Sequence, residues 1–194
     1  MNSNPPTDLF FNTANVGDAA EPNYIGRSAS FECGATMRIS LQVGESQRIT
    51  DAKFRAAGCS VLVAAASFLT ARIKDMTTGE AASFGQLNAL LKEQIGPVEP
   101  NREHCAALAC EALISAITEY SDSIRDEWTG DEALICTCFG VSERVIEQEV
   151  RSRSLATIED VTRACNAGAG CRSCYPLIQE ILDSQHQPEG FERK

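Results

Sequence analysis

Residues 37–62 read MRISLQVGESQRITDAKFRAAGCSVL, and a change of period inside this stretch decides the fold. Met37, Ile39, Leu41 and Val43 alternate with Arg38, Ser40 and Gln42, the period-two signal of a half-buried strand. Gly44-Glu45-Ser46 supplies a turn, and Ala52, Phe54 and Ala56 alternate with Lys53, Arg55 and Ala57 as a second strand. The two runs predict an antiparallel hairpin. After Gly58 the period lengthens: Leu62, Ala66, Leu69 and Ile73 share one helical face. A hairpin feeding a helix predicts an α+β first segment, an antiparallel sheet with helices packed on it.

Downstream, Phe84, Leu87 and Leu91 predict a second helix that ends before Pro97 and Pro100. Asn101 is a candidate N-cap for a third, with Ala106, Ala109, Leu113 and Ile117 on its apolar face. These elements fill residues 1–120. Residues 121–132, SDSIRDEWTGDE, carry five acidic side chains against one arginine and read as an acidic linker, with Trp128 as its anchor on a domain surface. Residues 133–184 read as a small all-α domain. Ser142 and Thr157 are N-caps, and Pro176 opens a last helix striped by Leu177, Ile178, Ile181 and Leu182. So short a domain is marginal on its own core and calls for a staple such as a metal cluster. Residues 185–194 form a polar tail, in which His186 is expected to be solvent-exposed.

The whole chain has 194 residues, 43% hydrophobic, with a net charge of −10. That composition suits folded globular protein and argues against non-specific nucleic-acid binding, which needs Lys and Arg to displace counterions. The longest apolar-rich stretch, residues 59–71, is shorter than the roughly 20 residues that span a bilayer, and the N-terminus lacks the pattern of a secretory leader. The expectation is a cytoplasmic protein with no membrane segment. In a reducing compartment, nine cysteines point to metal or thiol chemistry.

The sharpest pattern is Cys136-Thr137-Cys138 with Cys171-Arg172-Ser173-Cys174. Four thiolates at two chain positions suit a 2Fe–2S cluster or Zn²⁺, and a dithiol redox pair is the simpler alternative. The glycines of Ala167-Gly168-Ala169-Gly170 allow close backbone approach, and the CxxC opens a helix whose positive end favours an anionic cluster. Cys165 reads as a structural or surface thiol. In the first segment Cys33, Cys59 and Cys105 sit singly at element boundaries, where helix N-termini lower thiol pKa. Together they suggest a shared open site, with His104 as a possible nitrogen ligand. Cys110 points about 140° away from Cys105 around the helix and reads as core.

Several of these motifs recur together, in order, in one family. FFNTANVGDA, FECGATMRISLQV, FRAAGCSVLVAAAS and REHCAALACEALISAI resemble the U-type scaffold domain. ALICTCFGVSERVIEQEV and SLATIEDVTRACNAGAGCRSCYP resemble the small 2Fe–2S domain of bacterioferritin-associated ferredoxins. The chain thus resembles NifU-type iron–sulfur cluster assembly scaffolds, without the thioredoxin-like C-terminal domain of longer members. The resemblance implies that Cys33, Cys59 and Cys105 receive sulfur from a cysteine desulfurase and bind iron. They would build a transient 2Fe–2S or 4Fe–4S cluster and pass it to apo-proteins, nitrogenase components among them where nitrogen is fixed. It implies a homodimer, and a permanent 2Fe–2S cluster on Cys136, Cys138, Cys171 and Cys174.

Two positions depart from the family pattern. Cys33-Gly34-Ala35 stands where the family has Cys-Gly-Asp, which removes a hard, weak oxygen ligand. Slower cluster release is expected, with His104 as the natural fourth ligand. GPVEPNREHC also differs from the Pro-Pro-Val-Lys chaperone motif of housekeeping scaffolds. No carboxylate pair, catalytic triad or phosphate loop is present, so the chain reads as a non-enzyme. The readings that compete with a scaffold are a 2Fe–2S electron-transfer or redox-regulatory protein, with the first domain as docking module, and a zinc-binding interaction protein.

Overall fold

Strand, strand, helix is the order found in the computed structural model, which describes residues 13–22, 24–44, 47–85, 95 and 98–186. The chain divides into two units, Met1–Tyr120 and Ser121–Lys194.

In the first unit, β2 (Thr36–Val43) and β3 (Ile49–Ala57) pair antiparallel, with Ile39 opposite Phe54 and Leu41 opposite Ala52. Of the expected turn, Glu45 and Ser46 lie outside the described residues, and the Gly44 N–H donates to the Arg48 carbonyl. Met37, Ile39, Leu41, Ala52 and Phe54 are all buried. So are Leu62, Ala66 and Leu69 of α1 (Ser60–Arg72), which packs against β3. Each fully buried Leu, Ile or Phe contributes about 1.5–3 kcal/mol, so this interleaved apolar set dominates the unit's stability.

A further strand, β1 (Tyr24–Ala29), pairs with the free edge of β2 and gives the sheet order β1-β2-β3. The alternation of YIGRSA does not announce it. Its place depends on Gly26: a Cβ there would stand 1.9 Å from the Ala112 carbonyl oxygen and 2.3 Å from the Ala116 nitrogen. Both atoms belong to helix α3, Glu103–Glu127, so the strand backbone rests directly on the helix backbone. The Ile25 N–H donates to the Glu119 carboxylate, and the Ser28 hydroxyl donates to the Leu108 carbonyl at 2.7 Å.

The second helix, α2 (Thr78–Gly85), opens with a reciprocal capping box: Glu80 N–H donates to Thr77 Oγ1, and Thr77 N–H to the Glu80 carboxylate. Leu87 and Leu91, expected to continue it, lie outside the described residues. Asn101 is not the N-cap of α3. It sits inside a 3₁₀ turn, Pro100–Arg102, closed by the Arg102 N–H on the Glu99 carbonyl. Pro100 fixes the backbone φ at the start of that turn, which displaces the helix start to Glu103.

In the second unit, the residues read as an acidic connector are helical through Glu127, as the end of α3. Arg125 pairs with Asp122 one turn back, and such pairs let a charged segment continue a helix. Trp128 is 47% exposed and its indole N–H donates to the Glu132 carbonyl at 3.0 Å, so the anchoring it provides is local to its own turn. The Glu132 carboxylate holds Arg144 at 2.5 Å.

The helical unit also carries a two-stranded ribbon, β4 (Leu134–Cys136) with β5 (Val141–Ser142). Three helices follow: α4 (Glu143–Arg153), α5 (Ile158–Cys165) and α6 (Tyr175–His186). Ser142 and Thr157 cap α4 and α5 through the Val145 and Asp160 N–H groups. Ile146, Val161 and Ile178 are fully buried, one from each helix. The exposure expected of His186 lies outside what is described. Among the described residues, no helix is long and apolar enough to cross a membrane.

Candidate metal centres

Three junctions between elements meet at one end of the first sheet. Cys33 lies in the turn between β1 and β2, closed by the Ser30 N–H on the Ala35 carbonyl and the Gly34 N–H on the Ser30 carbonyl, both at 2.9 Å. Gly34 takes φ +69°, a region that favours glycine. Cys59 is the N-cap of α1 in extended conformation, and its side chain makes no capping hydrogen bond. Its thiol is therefore not spent on its own helix. His104 and Cys105 stand in the first turn of α3.

The donor atoms of Cys33, His104 and Cys105 all lie within 4.8 Å of one another, a spacing that one metal ion can bridge. His104 Nε2 is 3.2 Å from Cys33 Sγ and 3.5 Å from Cys105 Sγ. Cys59 falls outside that group, although its thiol is close enough to raise the pKa of Cys105. The four residues predicted for this site are thus brought to one end of the unit, three of them at ligating distance from each other.

Their electrostatics differ. Cys33 is exposed, and its pKa is lowered to about 7 by the Ser30 hydroxyl first, then by His104 and the Ala35 N–H. Hydrogen bonding to Cys33 raises the His104 pKa, so the two favour a thiolate–imidazolium pair. Cys105 behaves oppositely: burial, then the neighbouring Cys59 thiol, push it up to about 12. The lowered pKa expected of all three thiols therefore fails at Cys105, where desolvation outweighs the helix end. Ala35 is 4% exposed, and a Cβ built on Gly58 would meet its side chain at 3.1 Å. It offers no ligand atom, but its backbone N–H supports Cys33.

The second centre is built on the ribbon and the start of α6. Cys136 ends β4, Cys138 lies in the following turn, and Cys174 immediately precedes α6, its carbonyl accepting from the Ile178 N–H. Cys138 and Cys171 Sγ atoms are 3.3 Å apart. Cys136 lies close enough to Cys174 to raise its pKa, so the four thiols gather as two pairs, each drawing one member from each motif. Among the described residues, no three of these four meet the 4.8 Å spacing found at the first centre. Four thiolates on one tetrahedral zinc would lie about 3.7 Å apart, so this donor set fits a two-metal cluster better than a single ion.

The glycines before the CxxC serve the ligands directly. A Cβ on Gly170 would meet Cys138 Cβ at 3.0 Å, and one on Gly168, at φ +86°, would meet the Tyr175 ring at 2.6 Å. Exposed Cys171 has its pKa lowered to about 7, chiefly by Ser173, whose hydroxyl is 3.0 Å from the sulfur. Burial, then Cys136, push Cys174 up to about 12. Cys165 is buried and donates to the Val161 carbonyl, and Cys110 is buried with its pKa raised to about 11 by desolvation; both are structural. Ser30 and Ser173 escaped the sequence reading. The available signal was a hydroxyl residue within three positions of an exposed cysteine.

Comparison with known proteins gives each part of the chain a family. The NifU-like N-terminal domain family matches residues 3–126, and the BFD-like [2Fe-2S] binding domain matches residues 134–184. The chain is 35% identical over 186 residues to the nitrogen fixation protein NifU of Trichormus azollae, covering 90% of this chain and 61% of that protein. It is 34% identical over 116 residues to the iron–sulfur cluster assembly scaffold protein IscU of Azotobacter vinelandii, covering 88% of the latter. The first unit has the fold of a NifU-like N-terminal domain from Brucella abortus, with TM-score 0.50 and 20% identity over 62% of this chain and 94% of that one. The chain spans about 61% of the length of the NifU protein it matches.

Proposed function

Because the chain belongs to the NifU-like N-terminal domain family, we propose that it is an iron–sulfur cluster assembly scaffold. Residues 1–120 are the scaffold domain, residues 121–132 the connector and residues 133–184 a 2Fe–2S domain. The observation that carries this reading is the set of Cys33, His104 and Cys105 donor atoms within 4.8 Å at an accessible edge, with Cys59 beside them.

Cys33, Cys59 and Cys105 accept sulfur from a cysteine desulfurase and bind iron, with His104 as the fourth ligand. The product, a transient 2Fe–2S or 4Fe–4S cluster, is passed to apo-proteins, nitrogenase maturation being one setting. Iron and sulfur are cargo at this site. Cys136, Cys138, Cys171 and Cys174 hold a permanent 2Fe–2S cluster that supplies electrons for assembly or release. The protein acts in the cytoplasm as a homodimer and catalyses no bond-making step itself. Soft thiolates suit both iron and sulfide, and the partly exposed first site leaves room for cargo to enter and leave.

The test uses protein carrying Cys136→Ala and Cys138→Ala, which silences the second centre. It is incubated anaerobically with a cysteine desulfurase, cysteine and ferrous iron. Acid-labile sulfide and visible absorption are then followed before and after an apo-ferredoxin is added. Cluster that forms and moves to the acceptor supports the scaffold. Absence of cluster overturns it and leaves an electron-transfer protein whose first unit is a docking module.

A further inference from the structure

The outer face of the first sheet carries three arginines in one row. Arg27 is opposite Arg38, and Arg38 is opposite Arg55, across three adjacent strands. Strands lie about 4.8 Å apart, and like charges directly opposite each other destabilise a sheet. Asp18 reaches two of them, Arg38 at 3.2 Å and Arg55 at 2.8 Å. The Arg27 guanidinium has no ion-pair partner among the described residues, so one carboxylate faces three cations in a chain of net charge −10.

The row stands beside the first centre. Arg27 is two residues before the end of β1, Arg38 two after the start of β2, and Arg55 two before the end of β3. Two residues of strand are about 7 Å, and the strand ends carry the Cys33 turn and lead to Cys59. A shallow depression bordered by Ala29, Thr36 and Ala57 joins the row to that edge. At the tip of the turn, Phe31 is 102% exposed, the most exposed large apolar side chain among the described residues. The two backbone hydrogen bonds that close the turn hold its backbone in place before any partner arrives.

We infer that Phe31 and the Arg27–Arg38–Arg55 row together form the docking surface for the protein that donates sulfur to Cys33, a partner presenting an apolar pocket flanked by carboxylates. The inference rests on the sulfur-acceptor reading of Cys33 above. Sulfur transfer from a protein persulfide is a direct displacement. The Cys33 thiolate attacks the outer sulfur of the donor's Cys–S–SH group. A new S–S bond forms on Cys33, the donor's S–S bond breaks, and the donor cysteine leaves as thiolate. The transferred sulfur keeps its oxidation level and its proton, so no oxidant or reductant is needed.

Such an attack brings the two sulfurs to about 3–3.5 Å, and a specific interface covers about 800 Å² on each partner. A disc of that area has a radius of about 16 Å. Centred on Cys33, it covers both Phe31, two residues away, and the arginine row. A rigid aromatic anchor beside a cationic frame is the composition that interface centres favour; Glu32 adds one carboxylate in the turn itself, so it is the part of the partner facing the arginine row that must carry carboxylates.

The experiment measures persulfide formation on Cys33 by mass spectrometry in the full chain. One arm uses a cysteine desulfurase with cysteine, the other glutathione persulfide. With the desulfurase, Phe31→Ser lowers kcat/KM about tenfold or more, through KM, and Phe31→Leu restores most of it. Arg27→Gln lowers the rate at low salt and flattens its dependence on ionic strength. With glutathione persulfide all three variants match wild type. Wild-type rates for Phe31→Ser and Arg27→Gln with the desulfurase overturn the docking surface. Equal losses in both arms also overturn it, by showing that the variants alter the Cys33 turn itself. A Phe31→Ser protein whose sedimentation shifts from dimer to monomer assigns the patch to a second copy instead. If wild type takes no sulfur even from glutathione persulfide, the acceptor reading itself falls, and the docking inference with it.

Discussion

Cys33 Sγ lies 3.2 Å from His104 Nε2, across 71 residues of sequence. The contact joins an exposed turn to the first turn of a long helix, and it pairs a thiol of lowered pKa with an imidazole of raised pKa. It gives the site one nucleophile that is ionised near neutrality beside a thiol, Cys105, that is not.

The first prediction concerns that difference. In metal-free protein, iodoacetamide should label Cys33 with half-maximal rate near pH 7, because only the thiolate reacts. Cys105, with its pKa near 12, should stay unlabelled through pH 9. Ser30→Ala and His104→Ala each remove a hydrogen bond that favours the charged sulfur, so each should move the Cys33 midpoint upward toward 9. A midpoint that does not move in Ser30→Ala would show that the hydroxyl plays no part.

Metal loading should release protons and weaken below neutrality. Cys33 must be a thiolate and His104 neutral to bind iron, and acid opposes both. Ferrous-iron affinity of the Cys136→Ala, Cys138→Ala protein should fall by more than tenfold per pH unit below about pH 7, where protons compete at both Cys33 and His104, as read by anaerobic titration. An affinity flat from pH 8 to pH 6 would exclude Cys33 as a ligand.

Ala35 offers no ligand atom where the family carries an aspartate. Wild type should therefore hold its transient cluster longer than Ala35→Asp. A roughly tenfold difference in transfer rate to an apo-ferredoxin corresponds to about 1.4 kcal/mol in barrier. Position 35 is covered, so thermal melts of both proteins must accompany the comparison. Equal transfer rates in two folded proteins would remove the retention argument.

At the second centre, Cys138→Ser should abolish the visible 2Fe–2S absorption, since Cys138 is half of the 3.3 Å pair with Cys171. Cys165→Ala should leave the spectrum intact and cost about 1 kcal/mol of stability, the value of a lost buried hydrogen bond. A spectrum lost in Cys165→Ala would make that thiol a ligand.

Gly26 carries the stability prediction. Gly26→Ala places a Cβ within 2 Å of the Ala112 carbonyl oxygen, and neither backbone can yield without separating β1 from α3. The cost should be about 3 kcal/mol, at the upper end for overpacked positions. Gly130→Ala, at φ +85° in open space, should cost about 1–2 kcal/mol, from backbone strain alone. Chemical denaturation of the two proteins compares them, and equal losses would mean that β1 adjusts.

The alternation from Met37 to Val43 and from Ala52 to Ala57, the helical spacing from Leu62 to Ile73, and the caps at Ser142 and Thr157 were all determined by sequence alone. Each is a local pattern, written in side chains a few positions apart. The cysteine motifs were equally legible, because ligand type and spacing are chemical properties of the chain. Only the tertiary structure decided what depends on distant groups meeting. β1 exists because Gly26 lets its backbone lie on α3, which a strand pattern does not encode. Helix α3 runs on through residues that composition marked as a connector, because paired charges support a helix as well as a coil. Cys33 and Cys105 look alike as thiols at element boundaries. Folding leaves the first exposed among hydrogen-bond donors and buries the second, and these surroundings separate their pKa values to about 7 and about 12.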